Sequence, residues 1–328
     1  MFHLNFNPEI SSEKINHQQD VLFIGSCFSE HISKRLIDLK FSIDSNPFGI
    51  VFNPKSMYST LLNCLNNNEI NDSHFIERDE NWFCLDAHSS LNSSNKNELQ
   101  SALLDARNNW NDKLKTAKWL IITFGSAYCY EFNETQSIIS NCHKLPANQF
   151  IKKMISSQDI VSDYDSLIKE LQLINPNLKI IFTVSPVKHL RDGLIENSLS
   201  KSILIQSAHE LISKHAHCYY FPAYEFVTDD LRDYRFYESD MAHPNAQAIN
   251  YVFNKFVEVY FTEETKKINK HLSEINLAFN HKSFNSESQS YKAFKLNMML
   301  KCKELIIKFP FLNLTMELNY FENENGKN

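Results

Sequence analysis

Three residues of this chain have the types that together make a proton relay for acyl transfer. Ser26 lies in Phe23-Ile24-Gly25-Ser26-Cys27-Phe28-Ser29-Glu30, directly after an apolar run. Asp240 and His243 lie in Asp240-Met241-Ala242-His243-Pro244, roughly two hundred residues downstream. A serine hydroxyl becomes a useful nucleophile only when a base takes its proton. An imidazole serves as that base best when a carboxylate fixes its tautomer and stabilises its charged form. Each fragment alone has a plainer reading, with Ser26 as a helix N-cap, Asp240 as another cap and His243 as a surface residue. Their order favours the relay: serine early, the Asp-x-x-His pair late, and strand-like runs between them.

Four apolar runs read as strands covered on both faces: Val21–Ile24, Trp119–Phe124, Lys179–Val184 and Cys218–Phe221. Helical periodicity separates them. Ser29–Leu39 carries Ile32, Leu36 and Leu39; Glu98–Leu114 carries Leu99, Leu103, Trp110 and Leu114; Ser166–Ile174 and Lys201–Ile212 repeat the pattern. Pro244 is expected to open a further helix through Val259. Strands alternating with helices predict an α/β fold with a parallel sheet, whose ligands bind at the carboxyl ends of the strands. Ser26, Gly125, Ser185 and Tyr224 should all lie there. Ile70–Asn97 is irregular, and Ser89–Asn97 reads as an exposed loop or excursion. Beyond Thr262 the strand pattern stops, and Ile268–Leu277 and Tyr291–Phe309 read as amphipathic helices. The expected organisation is a main domain over 1–262, a helical C-terminal appendage over 263–320 and a disordered tail over 321–328.

Composition narrows the partners. A net charge of -6 gives no basic footprint for nucleic acid. No apolar run approaches the ~20 residues that span a bilayer, and MFHLNFNPEISSEK lacks the pattern of a secretory signal. A cytoplasmic protein that binds neither nucleic acid nor membrane is expected. The seven cysteines are scattered, with no C-x-x-C spacing, which predicts neither a disulfide framework nor a metal site. Only 5 glycines occur, far below the usual ~7%, so Gly25, Gly49, Gly125 and Gly193 should mark places where the backbone needs one.

Gly25-Ser26-Cys27-Phe28-Ser29 resembles the motif that names the GSCFA-domain family, a bacterial branch of the SGNH/GDSL hydrolase superfamily, with Ser29 in place of the final Ala. The resemblance continues through Asn46-Pro47-Phe48-Gly49, Thr123-Phe124-Gly125-Ser126-Ala127, Asn141-Cys142-His143-Lys144 and Ser185-Pro186-Val187-Lys188-His189. It then runs through Asp192-Gly193, Glu196-Asn197, Ser200-Lys201, Leu231–Tyr237 and Asp240-x-x-His243-Pro244. It implies a three-layer α/β/α, flavodoxin-like fold. It also implies a catalytic set of Ser26, Asp240 and His243, and an oxyanion hole built from the amides of Ser26 and Gly49. The superfamily's third donor is an Asn after a block-three Gly. This chain has Gly125-Ser126-Ala127 there, leaving Asn141 or Ser126 as substitutes.

His143, Lys144, His189, Arg191 and Asn197 follow strand ends and are candidates to line the pocket of a polar or anionic substrate, with a hydrogen-bonded loop network as the plainer reading. Arg232-Asp233-Tyr234-Arg235 reads as a buried ion-pair brace for the Asp240 loop, and Cys27 as a structural thiol. The expected activity is two-step hydrolysis of a small-molecule or glycan acyl ester, needing no metal or organic cofactor. An acyltransferase acting on a sugar hydroxyl, and a non-catalytic binding module on the same fold, are the alternatives.

Overall fold

Continuous apolar runs have no polar face to show to water, so they belong in the middle of a layered structure. In the computed structural model, which describes residues 4, 6–281, 285 and 288–322, all four runs are strands. The chain begins with β1 (Asp20–Gly25), α1 (Cys27–Asp38), β2 (Ser42–Ser45) and α2 (Pro54–Asn66). Three short strands follow, β3 (Phe75–Arg78), β4 (Asn81–Cys84) and β5 (Asn92–Ser93), then α3 (Lys96–Thr116) and β6 (Trp119–Phe124). A second excursion, β7 (Tyr128–Phe132), β8 (Ser137–Ile139) and β9 (Phe150–Met154), leads into α4 (Ser157–Ile174). The domain continues with β10 (Lys179–Val184), α5 (Leu194–Lys214), β11 (Cys218–Phe221) and the short turn α6 (Ala223–Glu225), which runs into a π-helical segment, Phe226–Leu231. α7 (Ala246–Tyr260) follows.

The main sheet has the order β11-β10-β6-β1-β2 and every pair in it is parallel. The order reverses between β1 and β6. Ligands of doubly wound folds bind outside such a switch point. Alternate residues of the strands feed two cores. Val21 and Phe23 pack with Ile32 and Leu36 of α1 and with Val252 and Phe256 of α7. Leu22 and Ile24 pack with α2–α5 through residues such as Met57, Trp110, Ile168 and Leu204. The result is three layers, α/β/α.

The carboxyl ends of the strands carry the predicted residues: Ser26 follows β1, Gly125 follows β6, Ser185 follows β10 and Tyr224 lies three residues past β11. Several elements differ from the sequence reading. β2 is a half-exposed edge strand, SIDS, with no apolar run to reveal it. The two excursions form three-stranded antiparallel sheets, β3-β4-β5 and β8-β7-β9. Their one-sided burial leaves only short alternations such as Tyr128-Cys129-Tyr130-Glu131-Phe132. Pro244 does not open α7; it pairs with Tyr237 in a β-bridge, and Asn245 caps the helix by accepting from the amides of Gln247 and Ala248.

Beyond Thr262 come α8 (Glu263–Asn280), α9 (Gln289–Lys308) and α10 (Thr315–Glu322). Ile268, Leu272, Ile275, Cys302, Leu305 and Phe321 join the α1–α7 core, and Lys40 pairs with the buried Glu317 at 2.6 Å. Phe321 and Glu322, expected in a disordered tail, form the end of α10, because Phe321 is buried against that core. The rest of that expected tail, 323–328, lies outside the described residues. Among the described residues no helix is long and apolar enough to cross a membrane.

Candidate active site

β1 and β6 approach so closely at their ends that only glycine fits. Gly25 is paired with Thr123, has φ 145°, and a Cβ on it would lie 2.4 Å from the Thr123 carbonyl oxygen. Its N–H donates to Asn46 Oδ1 at 2.8 Å. With the strand end pinned, Ser26 falls at the N-cap of α1, at the switch point. Its φ of −68° and ψ of 170° are those of a cap, but its hydroxyl makes no capping bond. Ser26 is 2% exposed, and its Oγ has no hydrogen-bond partner. A buried hydroxyl in that condition costs about 1–3 kcal/mol. The capping reading of Ser26 therefore fails, and the hydroxyl has no structural employment. Burial pushes the neighbouring Cys27 thiol up, away from the thiolate a nucleophile needs.

Asp240 and His243 do meet. Asp240 Oδ2 lies 2.5 Å from His243 Nδ1, and Asp240 Oδ1 accepts the amides of Ala242 and His243, each at 2.9 Å. Those two N–H donors, with the imidazole behind them, bring the carboxyl down to about 2. An ionised Asp240 on Nδ1 turns Nε2 outward. His243 is near enough for its charge to disfavour protonation of His31 on α1 and of His189 after β10. Lys188 N–H donates to the Ala242 carbonyl at 3.0 Å, tying this loop to the end of β10. Since Ser26 Oγ is without a partner, the Ser26–His243 hydrogen bond is not made in this structure.

The expected oxyanion donors are differently engaged. The Gly49 amide closes a turn onto the Asn46 carbonyl at 2.8 Å, so it does not point into an open site. Glycine is needed there for another reason: φ is 75°, and a Cβ would lie 2.5 Å from His88 Cβ. Ser126 is buried, with its N–H on the Phe52 carbonyl and its Oγ between Ser200 Oγ, at 3.4 Å, and the Tyr128 amide, at 3.2 Å. Asn141 belongs to the second excursion; its Oδ1 accepts from His143 N–H at 2.9 Å and its own N–H donates to Leu85.

The pocket candidates divide in the same way. His143 is buried, with Nε2 2.7 Å from the Cys84 carbonyl and its own carbonyl held by Arg78. It anchors one excursion to the other rather than lining a pocket, and Lys144 beside it is exposed. Asn197 is buried and accepts from His189 N–H at 2.9 Å, holding the loop after β10. His189 faces Phe52 and its Nε2 is buried without a partner; burial, then the Lys201 and His243 charges, lower it to about 4. Arg191 is exposed on the same loop. The Arg232–Arg235 segment is not a buried brace. All four residues are exposed, and Arg235 sits 3.7 Å from Asp233 across open surface.

Two networks, one buried and one half-buried, escaped the sequence reading. Lys201 is 1% exposed and its Nζ donates to the carbonyls of Gly125 at 2.5 Å and Ser185 at 2.7 Å, bridging the ends of β6 and β10. Ser200 Oγ, next to it, accepts the Ala127 amide at 2.7 Å. The signal was present: Lys201 shares its helical face with Leu204, Ala208 and Leu211, an apolar stripe where a lysine needs buried acceptors. The second is a continuous Asp–His–Ser chain away from the motifs. Asp86 Oδ2 is 2.8 Å from His74 Nδ1, and His74 Nε2 is 2.7 Å from Ser137 Oγ. Ser137 is also tied to Thr135 at 2.5 Å, and the chain joins the two antiparallel excursions.

The model of the GSCFA family matches residues 20–256, and that of the C-terminal domain of GSCFA domain proteins matches residues 272–325. Two solved structures resemble the chain. One is an acetyl xylan esterase from the rumen bacterium Butyrivibrio proteoclasticus, 11% identical with a TM-score of 0.38 over 77% of this chain and 64% of that one. The other is an active site mutant of a family two carbohydrate esterase from Clostridium thermocellum, 12% identical with a TM-score of 0.36 over 79% of this chain and 65% of that one. The chain thus spans less than two thirds of the length of either. No curated protein matches it.

Proposed function

The chain belongs to the GSCFA family, and from that premise we propose that it is a serine hydrolase acting on acyl esters, with Ser26 as nucleophile, His243 as base and Asp240 as the group that orients the base. The observation that carries the reading is Ser26 itself: a buried serine at a helix N-cap whose hydroxyl neither caps the helix nor finds any other partner. In the Asp240–His243 pair Nδ1 is taken by the carboxylate, which leaves Nε2 free to receive a serine proton.

In this mechanism substrate entry turns Ser26 Oγ toward His243 Nε2. His243 accepts the proton as Oγ attacks the ester carbonyl, then returns it to the leaving alcohol. Water repeats the sequence on the acyl-enzyme. Donors for the oxyanion come from the amide of Ser26 and those of Cys27 and Phe28 that open α1 at the positive end of its dipole, the Ser29 amide being taken by the Ser26 carbonyl at 2.8 Å. Gly49 joins them only if its turn to Asn46 opens. Passing the acyl group to a sugar hydroxyl in place of water uses the same residues.

The absent Ser26–His243 bond and the engaged Gly49 amide favour a second reading, a binding module without turnover. A fluorophosphonate probe separates the two, followed by peptide mapping and a screen of short- and long-chain acyl esters. The hydrolase is labelled on Ser26 and loses label and turnover in Ser26→Ala and in His243→Ala. No label, or label on Ser137 with Ser26 untouched, overturns the proposal.

A further inference from the structure

The π-helical segment Phe226–Leu231 ends in Arg232, a non-glycine residue with φ 45° and ψ 30°. Both a π turn and a left-handed arginine are unfavourable conformations that a chain keeps where their placement is used. Here they set Arg232 on the rim of a cavity of about 230 Å³ that is also lined by Lys188, Val227, Thr228, Asp233, Tyr234 and Tyr237. Lys188 Nζ lies 4.2 Å from the ring centroid of Tyr234 and 4.2 Å from that of Tyr237. Two rings holding one ammonium restrict it strongly, so its remaining N–H donors are oriented in advance.

The charge of this cavity is not balanced. Among the described residues neither Lys188 nor Arg232 has a carboxylate within 4.0 Å. Asp233 lines the cavity but is paired with Arg235, whose amide it accepts at 2.8 Å and whose Nε lies 3.7 Å away, and Asp229 accepts from the Thr228 hydroxyl at 3.0 Å. Two cations without a direct carboxylate partner against one lining carboxylate give this concave, aromatic-walled surface an excess of positive charge, which is unexpected in a chain with a net charge of -6. The cavity also adjoins the candidate relay. Lys188 is bonded through its backbone to Ala242, between Asp240 and His243, and Tyr237 bridges to Pro244.

We propose that this cavity is an anion-binding subsite that takes a carboxylate or phosphate group. Where the hydrolase reading holds, on which this last step rests, the preferred substrates are acyl esters of anionic molecules, gripped here while the ester lies at Ser26. Planar Arg232 suits two-point contact with either anion, and Lys188 adds a point charge.

The test is direct binding by calorimetry of methyl phosphate, the methyl glycoside of glucuronic acid and neutral methyl glucoside. It is run on the intact chain and on Lys188→Gln and Arg232→Gln. Arg232 is exposed, so its variant keeps the fold even where Lys188→Gln does not. At least one anion should bind tenfold or more tighter than the neutral glycoside, with about tenfold loss in Arg232→Gln and weakening as salt is raised. The tighter anion identifies the group. Equal affinities for all three ligands, or a preference that survives both substitutions, overturns the subsite. Turnover of a neutral aryl acetate without anion preference sinks only the subsite. Anion binding without turnover of any ester sinks only the hydrolase reading.

Discussion

Replacing Lys201 by methionine tests how the two sides of the switch crevice are held. Lys201 is fully buried, and burial lowers its ammonium from 10.5 to about 7. The hydrogen-bond count agrees with a neutral form at mildly alkaline pH: an uncharged amine has two N–H donors, and two carbonyls, of Gly125 and Ser185, receive them. Between about 7 and 10.5 the unfolded chain holds a proton there that the folded chain does not. Stability therefore rises with pH across that window, is fully present above 10.5, and is lost as pH falls through 7. At about 1.4 kcal/mol per pH unit, the whole displacement is worth on the order of 5 kcal/mol. The Lys201→Met variant would have no such dependence, though it leaves two buried carbonyls without donors, at about 1–3 kcal/mol each. Urea unfolding of both proteins at about pH 7.5 and about pH 9.5, inside that window, measures the difference directly. The stability advantage of the wild type over Lys201→Met should grow by about 2–3 kcal/mol between those pH values. A difference that stays constant means that Lys201 is charged throughout, and the desolvation argument fails.

Three other perturbations follow from the geometry. Asp240→Asn keeps an oxygen for the amides of Ala242 and His243 but removes the charge that orients the imidazole; the ester turnover proposed above should fall by about 10²–10⁴ in kcat with little change in KM, and an intact rate would remove Asp240 from the relay. Gly25→Ala forces a Cβ to within 2.4 Å of the Thr123 carbonyl at φ 145°, so a loss of about 3 kcal/mol or more is expected in urea unfolding. Leu272→Ala opens a hole where α8 meets the α1–α7 core and should cost about 2–5 kcal/mol, with proteolysis beginning at the C-terminal helices; unchanged protection there would mean that α8 contributes little to the docking.

Much of this architecture was legible in the chain because some patterns admit only one kind of environment. Trp119–Phe124 is apolar at nearly every position, so both of its faces must be covered, and it became the central strand β6. The one-faced periodicity of Ser29–Leu39 marked α1. Asp240 and His243, three residues apart, can find each other through local geometry alone, and they do. The type and order of Ser26, Asp240 and His243 needed nothing but the sequence.

What the sequence left open depends on which donors meet which acceptors across long separations. Whether His143 lines a pocket or anchors a hairpin to Cys84 is settled by a partner 59 residues away that the fold brings in. The same is true of Lys201, whose two carbonyls lie 76 and 16 residues away. It is true again of Lys188, whose tyrosines come from a segment after β11. A buried polar group must find its partner or bear the cost of lacking one. Residue type announces that demand, but only the packing of distant segments decides how it is met.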